Sequence, residues 1–330
     1  MSKFDKEYLT LCKKILTDGV NVSNRTGINT TKLPAYFFSF DLEEEFPILT
    51  TKQVFIRQAV LEMLWIYQAK SNDVRWLQDR NVHIWDKWMI DEDGIYRTYD
   101  NHANIEINPE KKVYIKNLDD KIMTDVLGNP VMTKGLDSKS EIIGAKYFGK
   151  DAAYTIGTAY GYIVNKMNLI DNLIDTLKNN PTDRRMIMSL WQNDYLKTAV
   201  LPSCVWSSEW DVTNGKLNAF VHQRSCDVPL GLPFNITQYA VLLHMLAQVT
   251  NLKPGTLSWS IKDAHIYDNQ INMIKEQIRR YDELGDFEAP EFWLNPNVKE
   301  FYQFDNSKEC KDVKIKNYKH CGKIDIPLTQ

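Results

Sequence analysis

Cys204, Glu62, Asn235 and the arginines Arg25, Arg184, Arg185 and Arg224 are the residues of this chain whose types could do covalent chemistry together. A thiol attacks as its thiolate, and neighbouring cations favour that form. A lone cysteine is more often a small buried hydrophobe. Cys204 therefore becomes a nucleophile only if the arginines converge on it, and arginines around a thiol suit a substrate that carries a phosphate. Arg184-Arg185 alone is either a solvated pair or an anion clamp. Arg224 and Ser225 set a cation beside a hydroxyl. Asn235 offers an acceptor and two donors, enough to read the edge of a heterocycle. Glu62 sits among Leu61, Met63, Leu64 and Trp65. It is either exposed or paired, or it is a carboxylate whose pKa burial raises toward proton transfer. Both readings stand at this point. Residues 81–88 (NVHIWDKW) place Ile84, Trp85 and Trp88 close together, as core packing or as a wall for a flat ligand.

These residues need elements to position them. Residues 216–222 alternate like a strand and residues 237–249 are apolar with helical spacing. Between them lies QRSCDVPLGLPFN, residues 223–235, where Gly231 allows close backbone approach to a ligand. Elsewhere the pattern predicts helices over 4–17, 54–69, 167–177 and 269–281, and strands over 34–42, 186–191, 205–212 and 256–262. Asn214-Gly215 signals a hairpin between two of these strands. Short strands are expected near 300–304, 313–315 and 323–327. From about 91 to 156 polar and charged residues dominate without a Gly/Ser or Pro linker. That stretch reads as a surface insertion, forming a few helices or a hairpin, within a single domain spanning 1–330.

The 330 residues are 43% hydrophobic and 25% charged, with a net charge of −3. This is a globular composition without the polycation character of a nucleic-acid-coating protein, and no DNA partner is expected. The five cysteines form no CxxC pair, so neither a disulfide framework nor a zinc site is suggested. Residues 1–10 lack a signal-peptide core, and no run approaches the ~20 apolar residues of a membrane helix. The expected location is cytoplasmic, away from membranes. Dinucleotide-binding glycine strings, P-loops and zinc-deaminase patterns are missing from the sequence.

The string QRSCDVPLGLPFN resembles the signature of the thymidylate synthase family. NRTGINT, FPILTTK, LEMLW, HIWDKW, AYGY, NPTDRRMIMSLW, LPSC and KDAHIY follow that family's order over nearly the whole chain outside the insertion. The resemblance implies an α+β fold, with a large mixed β-sheet backed by helices and a homodimer packed sheet to sheet. It implies conversion of deoxyuridylate to thymidylate with 5,10-methylenetetrahydrofolate as carbon and hydride donor, and no metal. Cys204 would attack C6 of the uracil, with Glu62 and Tyr160 handling protons, Asn235 reading the base and Arg224 beside the nucleophile. Arg25, Arg224 and Ser225 would hold the phosphate, joined by Arg184 and Arg185 from the second subunit. Gln223, Cys226, Asp227, His265 and Tyr267 complete the implied nucleotide site. Ile84, Trp85, Trp88, Leu201, Asp227, Leu230, Gly231, Phe234, Leu328 and Thr329 form the implied folate site, closed by residues 326–330.

The chain departs from the family pattern in places. Val205 stands where a histidine commonly follows the nucleophile. Tyr162, Ile163 and Val164 replace a usual glutamine and tryptophan, and Phe55 a histidine. The chain ends in Thr-Gln rather than small apolar residues. A deoxyuridylate hydroxymethylase of the same superfamily, and a non-catalytic nucleotide- or RNA-binding relative, are the rival readings.

Overall fold

The computed structural model of the chain describes residues 2–99, 111–137, 140–285 and 287–329. A five-stranded sheet runs in the order Tyr36–Asp41, Lys253–Ile261, Lys216–Gln223, Val205–Thr213, Met186–Ser189. The second and third of these strands pair in parallel, and the other neighbours are antiparallel. The alternation read from the sequence sends Leu217, Ala219, Val221, Leu257, Trp259 and Ile261 to the inner face, where all are buried. Asn214 and Gly215 turn the hairpin with φ of 52° and 74°, the left-handed values such a turn requires.

The helix Gly231–Val249 lies on the inner face with the helix Ile56–Tyr67 packed against it. It is apolar nearly all round, which only a core position tolerates. It begins six residues before the expected residue 237, because Gly231 and Pro233 belong to its first turn. Proline is tolerated there since the N–H it lacks has no helical partner anyway. The helix Lys3–Asp18 is capped by the Ser2 side chain and ends at Gly19, as expected. The outer sheet face leaves Phe37, Ile187, Trp206 and Phe220 exposed.

A break in the two parallel strands sets up the site. Lys216–Gln223 continues as Cys226–Asp227, and Lys253–Ile261 continues as Ala264–Tyr267, again paired in parallel. The continuations belong to a second, four-stranded sheet with Thr30–Leu33 and Val20–Val22. At the break the N–H of Arg224 carries the antiparallel pairing of Gln223 with Val205 one step further and bonds the carbonyl of Cys204 at 2.9 Å.

The 91–156 stretch, expected as a few helices or a hairpin, takes the strand alternative and builds a sheet of its own from Ile95–Tyr99, Lys112–Lys116, Met132–Lys134, Leu136–Asp137 and Ser140–Tyr147. Its β-branched and aromatic residues are diluted by solvent-facing lysines, so the strand period is masked in the sequence. Residues 100–110 and 138–139 of that stretch lie outside the described residues. Near the C-terminus, residues expected as a strand around 300–304 form a 3-10 turn, Phe301–Gln303, closed by reciprocal capping between Glu300 and Gln303. The hairpin there pairs Glu291–Leu294 with Val313–Lys316, and residues 323–327 form no ladder. The final segment is tied down by Arg280, whose Nη1 donates to the carbonyls of Cys321 at 2.9 Å and Lys323 at 3.2 Å. Among the described residues no helix is long and apolar enough to cross a membrane.

Candidate active site

Cys204 ends the loop that feeds the strand Val205–Thr213. Arg224 grips that loop. Its Nε donates to Ser203 O at 3.0 Å and its Nη2 to Pro202 O at 2.6 Å, and Nη2 lies 3.8 Å from Cys204 Sγ. The Cys204 N–H donates to the hydroxyl of Tyr160 at 3.0 Å. Tyr160 takes a left-handed φ of 49°, costly for an aromatic residue. The next residue must be glycine, since a Cβ on Gly161 would stand 2.0 Å from Ser71 O.

The arginines were expected to depress the thiol's pKa. Within one chain it lies above the ordinary value, because burial outweighs Arg224, Arg25 and the Tyr160 hydrogen bond. The resting sulfur is therefore a thiol, with the Arg224 guanidinium beside it. Arg25 acts on the sulfur from an exposed loop in which the N–H and hydroxyl of Thr26 both donate to Asn24 Oδ1. Arg184 and Arg185 are exposed, Arg185 pairs with Asp183 at 2.9 Å, and neither lines the cavity at Cys204.

Sγ opens onto a cavity of about 180 Å³ that Glu62, Tyr160, Gln223, Ser225, Asp227 and Asn235 also line. A second cavity of about 400 Å³ adjoins it, walled by Ile84, Trp85, Trp88, Leu230 and Phe234 and roofed by residues 323–326 and Leu328. Glu62, Trp85, Gly231 and Asn235 border both. Val205 forms part of the first wall and Phe55 part of the second. Ile163 and Val164 turn into the core instead.

Glu62 is the carboxylate with the raised pKa, not the exposed one. Burial pushes it up to about 7, against hydrogen bonds from Trp85 and Gln238. Trp85 Nε1 donates to its Oε1 at 2.7 Å, and Gln238 Nε2 donates to its Oε2. Asn235 Oδ1 accepts from Gln223 Nε2 at 3.1 Å, and its Nδ2 donates to Gln238 Oε1 at 3.3 Å. Gln223 Oε1 in turn accepts from the indole of Trp259 at 3.0 Å. Sequence reasoning missed Gln238. Its place three residues after Asn235, hence on the same helical face, was the available signal.

Asp227 accepts from the Leu230 N–H at 3.0 Å and from Gln270 Nε2 at 2.9 Å, and burial raises its pKa. The same Gln270 nitrogen donates to Pro327 O at 3.1 Å, tying the tail to the cavity. Lys52, also missed, lines the larger cavity with its Nζ 2.5 Å from Pro229 O, and burial brings its pKa down to about 8. His265 pairs opposite Asp227 and bonds Asp263 at 3.0 Å, and Tyr267 meets it edge-on; neither lines the two cavities. Cys226 is fully buried, while Leu201 and Thr329 lie off both linings. Among the described residues no cluster of His, Cys, Asp or Glu could hold a metal ion.

The arrangement gathers a thiol, a carboxyl of raised pKa and a side-chain amide around one small cavity, with an apolar aromatic chamber next door. Comparison with known proteins finds the family model described as thymidylate synthase matching residues 6–330. A thymidylate synthase of Clostridium beijerinckii is 42% identical, with each chain covered in full. A thymidylate synthase of Bacillus phage phi3T is 35% identical over 98% of both chains. The solved structure of thermostable thymidylate synthase A from Bacillus subtilis superposes with a TM-score of 0.73 at 34% identity, over 99% of each chain.

Proposed function

The chain belongs to the thymidylate synthase family, and from that premise we propose that it methylates deoxyuridylate to thymidylate, with the nucleotide in the smaller cavity and 5,10-methylenetetrahydrofolate in the larger. The observation that carries this reading is Cys204 Sγ opening onto the cavity that Glu62 and Asn235 share, with Arg224 3.8 Å away. The larger cavity suits the folate: indoles and Phe234 match a flat ring, and Lys52 and Lys323 match an acidic tail.

Sulfur adds to C6 of the uracil, and the C5–C6 electron pair moves toward C5 and O4. Bound there, the folate supplies the one-carbon unit taken up at C5 and the hydride that completes the methyl group. Asn235 pairs with N3–H and O4. Glu62, with a pKa near 7, can give a proton at O4 and, with Tyr160, manage removal of the C5 proton. Loss of that proton lets the folate nitrogen leave the new carbon, and the C6–S bond breaks as hydride arrives there, returning Cys204. Arg25, Arg224 and Ser225 hold the phosphate, joined by Arg184 and Arg185 of a second copy. Gln223 orients Asn235, and His265 and Tyr267 face the sugar. Asp227 bonds the pterin, while Leu201, Leu328 and Thr329 back the closed tail, which excludes water.

The apolar patch of Phe37, Ile187, Trp206 and Phe220 supports a homodimer through the outer sheet face. The chain works as one domain carrying residues 91–156 as a surface insertion, in the cytoplasm.

The test is product mass from deoxyuridylate and 5,10-methylenetetrahydrofolate, alongside covalent trapping by fluorodeoxyuridylate. A methyl gain, and a trapped adduct that Cys204→Ala abolishes, are expected. A hydroxymethyl gain or an adduct elsewhere overturns the reading.

A further inference from the structure

We propose that Gln238 is a positioning residue that fixes which way the Asn235 amide faces, making the site read uracil rather than cytosine while holding the Glu62 carboxylate. This rests on the deoxyuridylate reading above. An asparagine amide has two orientations. One offers an N–H toward O4 and a carbonyl toward N3–H, which matches uracil. Turned over, it offers the complementary pattern that cytosine needs, so the residue type alone does not choose the base.

The surroundings choose it. Five side chains form one line of hydrogen bonds, Trp259 to Gln223 to Asn235 to Gln238 to Glu62, and Trp85 closes the far end. Both ends are indoles, which only donate. Trp259 obliges Gln223 to present Oε1 to it, so Gln223 presents Nε2 to Asn235, which must answer with Oδ1. At the other end, Trp85 occupies Glu62 Oε1. Gln238 Nε2 donates to Glu62 Oε2, which leaves Gln238 Oε1 for Asn235 Nδ2. Reversing Asn235 would set nitrogen against nitrogen at Gln223 and oxygen against oxygen at Gln238. Gln223 and Gln238 are only 3% and 5% exposed, so either clash costs a largely buried hydrogen bond. As found, Asn235 keeps one N–H and one lone pair free for the base. Gln238 differs from Gln223 in also touching Glu62, so it joins base choice to proton transfer.

The experiment uses the full chain and measures binding of deoxyuridylate and deoxycytidylate by titration calorimetry, with the pH profile of kcat. Gln238→Leu should lower the preference for deoxyuridylate by about tenfold, the scale of one buried hydrogen bond. Gln238→Glu still offers Asn235 an acceptor, so it should keep the preference. Its second carboxyl beside Glu62 should move the Glu62-dependent limb of the kcat profile to higher pH. If the leucine variant does not fold, Gln238→Met carries the same expectation. A folded apolar variant with full preference, or a glutamate variant that loses the preference as fully, overturns the proposal. Wild-type protein that binds no deoxyuridylate overturns the function reading itself. Normal wild-type turnover with an unmoved preference in the apolar variants overturns this inference alone.

Discussion

At Glu62 solvation and bonding pull in opposite directions. Two N–H donors favour the carboxylate, yet burial carries its pKa from the ordinary 4.5 up to about 7. The folded chain therefore holds a proton that the unfolded chain has released between those values. Stability from this group is complete below about 4.5 and is lost as pH rises through about 7. Glu62→Gln should cut kcat by roughly 10²–10⁴-fold, the range for a lost acid–base group. Thermal unfolding should also show wild type losing stability relative to that variant as pH rises across this window. Cys204, Asn235 and Arg224 were legible because each combines a reactive type with a signature string. Gln238 and Gln270 were not, because an amide gains meaning only from partners that folding brings from distant segments, such as Glu62 and Pro327.

Elements were most legible where burial imposes a period. The inner-face strands and the helix Ile56–Tyr67 follow it; the polar insertion does not. The long core helix carries a liability of its own. His244 packs against Phe292 at 4.5 Å, and its Nε2 has no hydrogen-bond partner among the described residues. Burial lowers its pKa from 6.5 to about 4, so the unfolded chain binds the extra proton between those values. Its contribution is present above about 6.5 and lost as pH falls through about 4. His244→Phe should flatten that acid loss of stability, as read by denaturant unfolding at a series of pH values. The short helix Gly161–Lys166 makes a second case. Gly161→Ala should destabilise by about 1–3 kcal/mol through overpacking against Ser71. By dislodging Tyr160 it should lower kcat further than that loss explains, which denaturation and single-turnover assays on the same sample would separate.

For the whole molecule, the outer sheet face and the outlying arginines belong to one question. Arg184 and Arg185 stand exposed, away from the cavity at Cys204. If they serve a second copy, Cys204→Ala and Arg184→Ala chains, mixed and reassociated, should recover activity. About a quarter of the sites would then be intact, since half the dimers are mixed and each of those has one whole site. No recovery from folded dimers would overturn donation of Arg184 across the interface. The tail carries a different consequence. It is anchored as far as Lys323 by Arg280, and beyond that the amide of Gln270 reaches it at Pro327. A carboxypeptidase should nibble the free chain back to the neighbourhood of Pro327 and stall, leaving a fragment of one mass that melts like the intact protein but has lost Leu328 from the roof of its aromatic chamber.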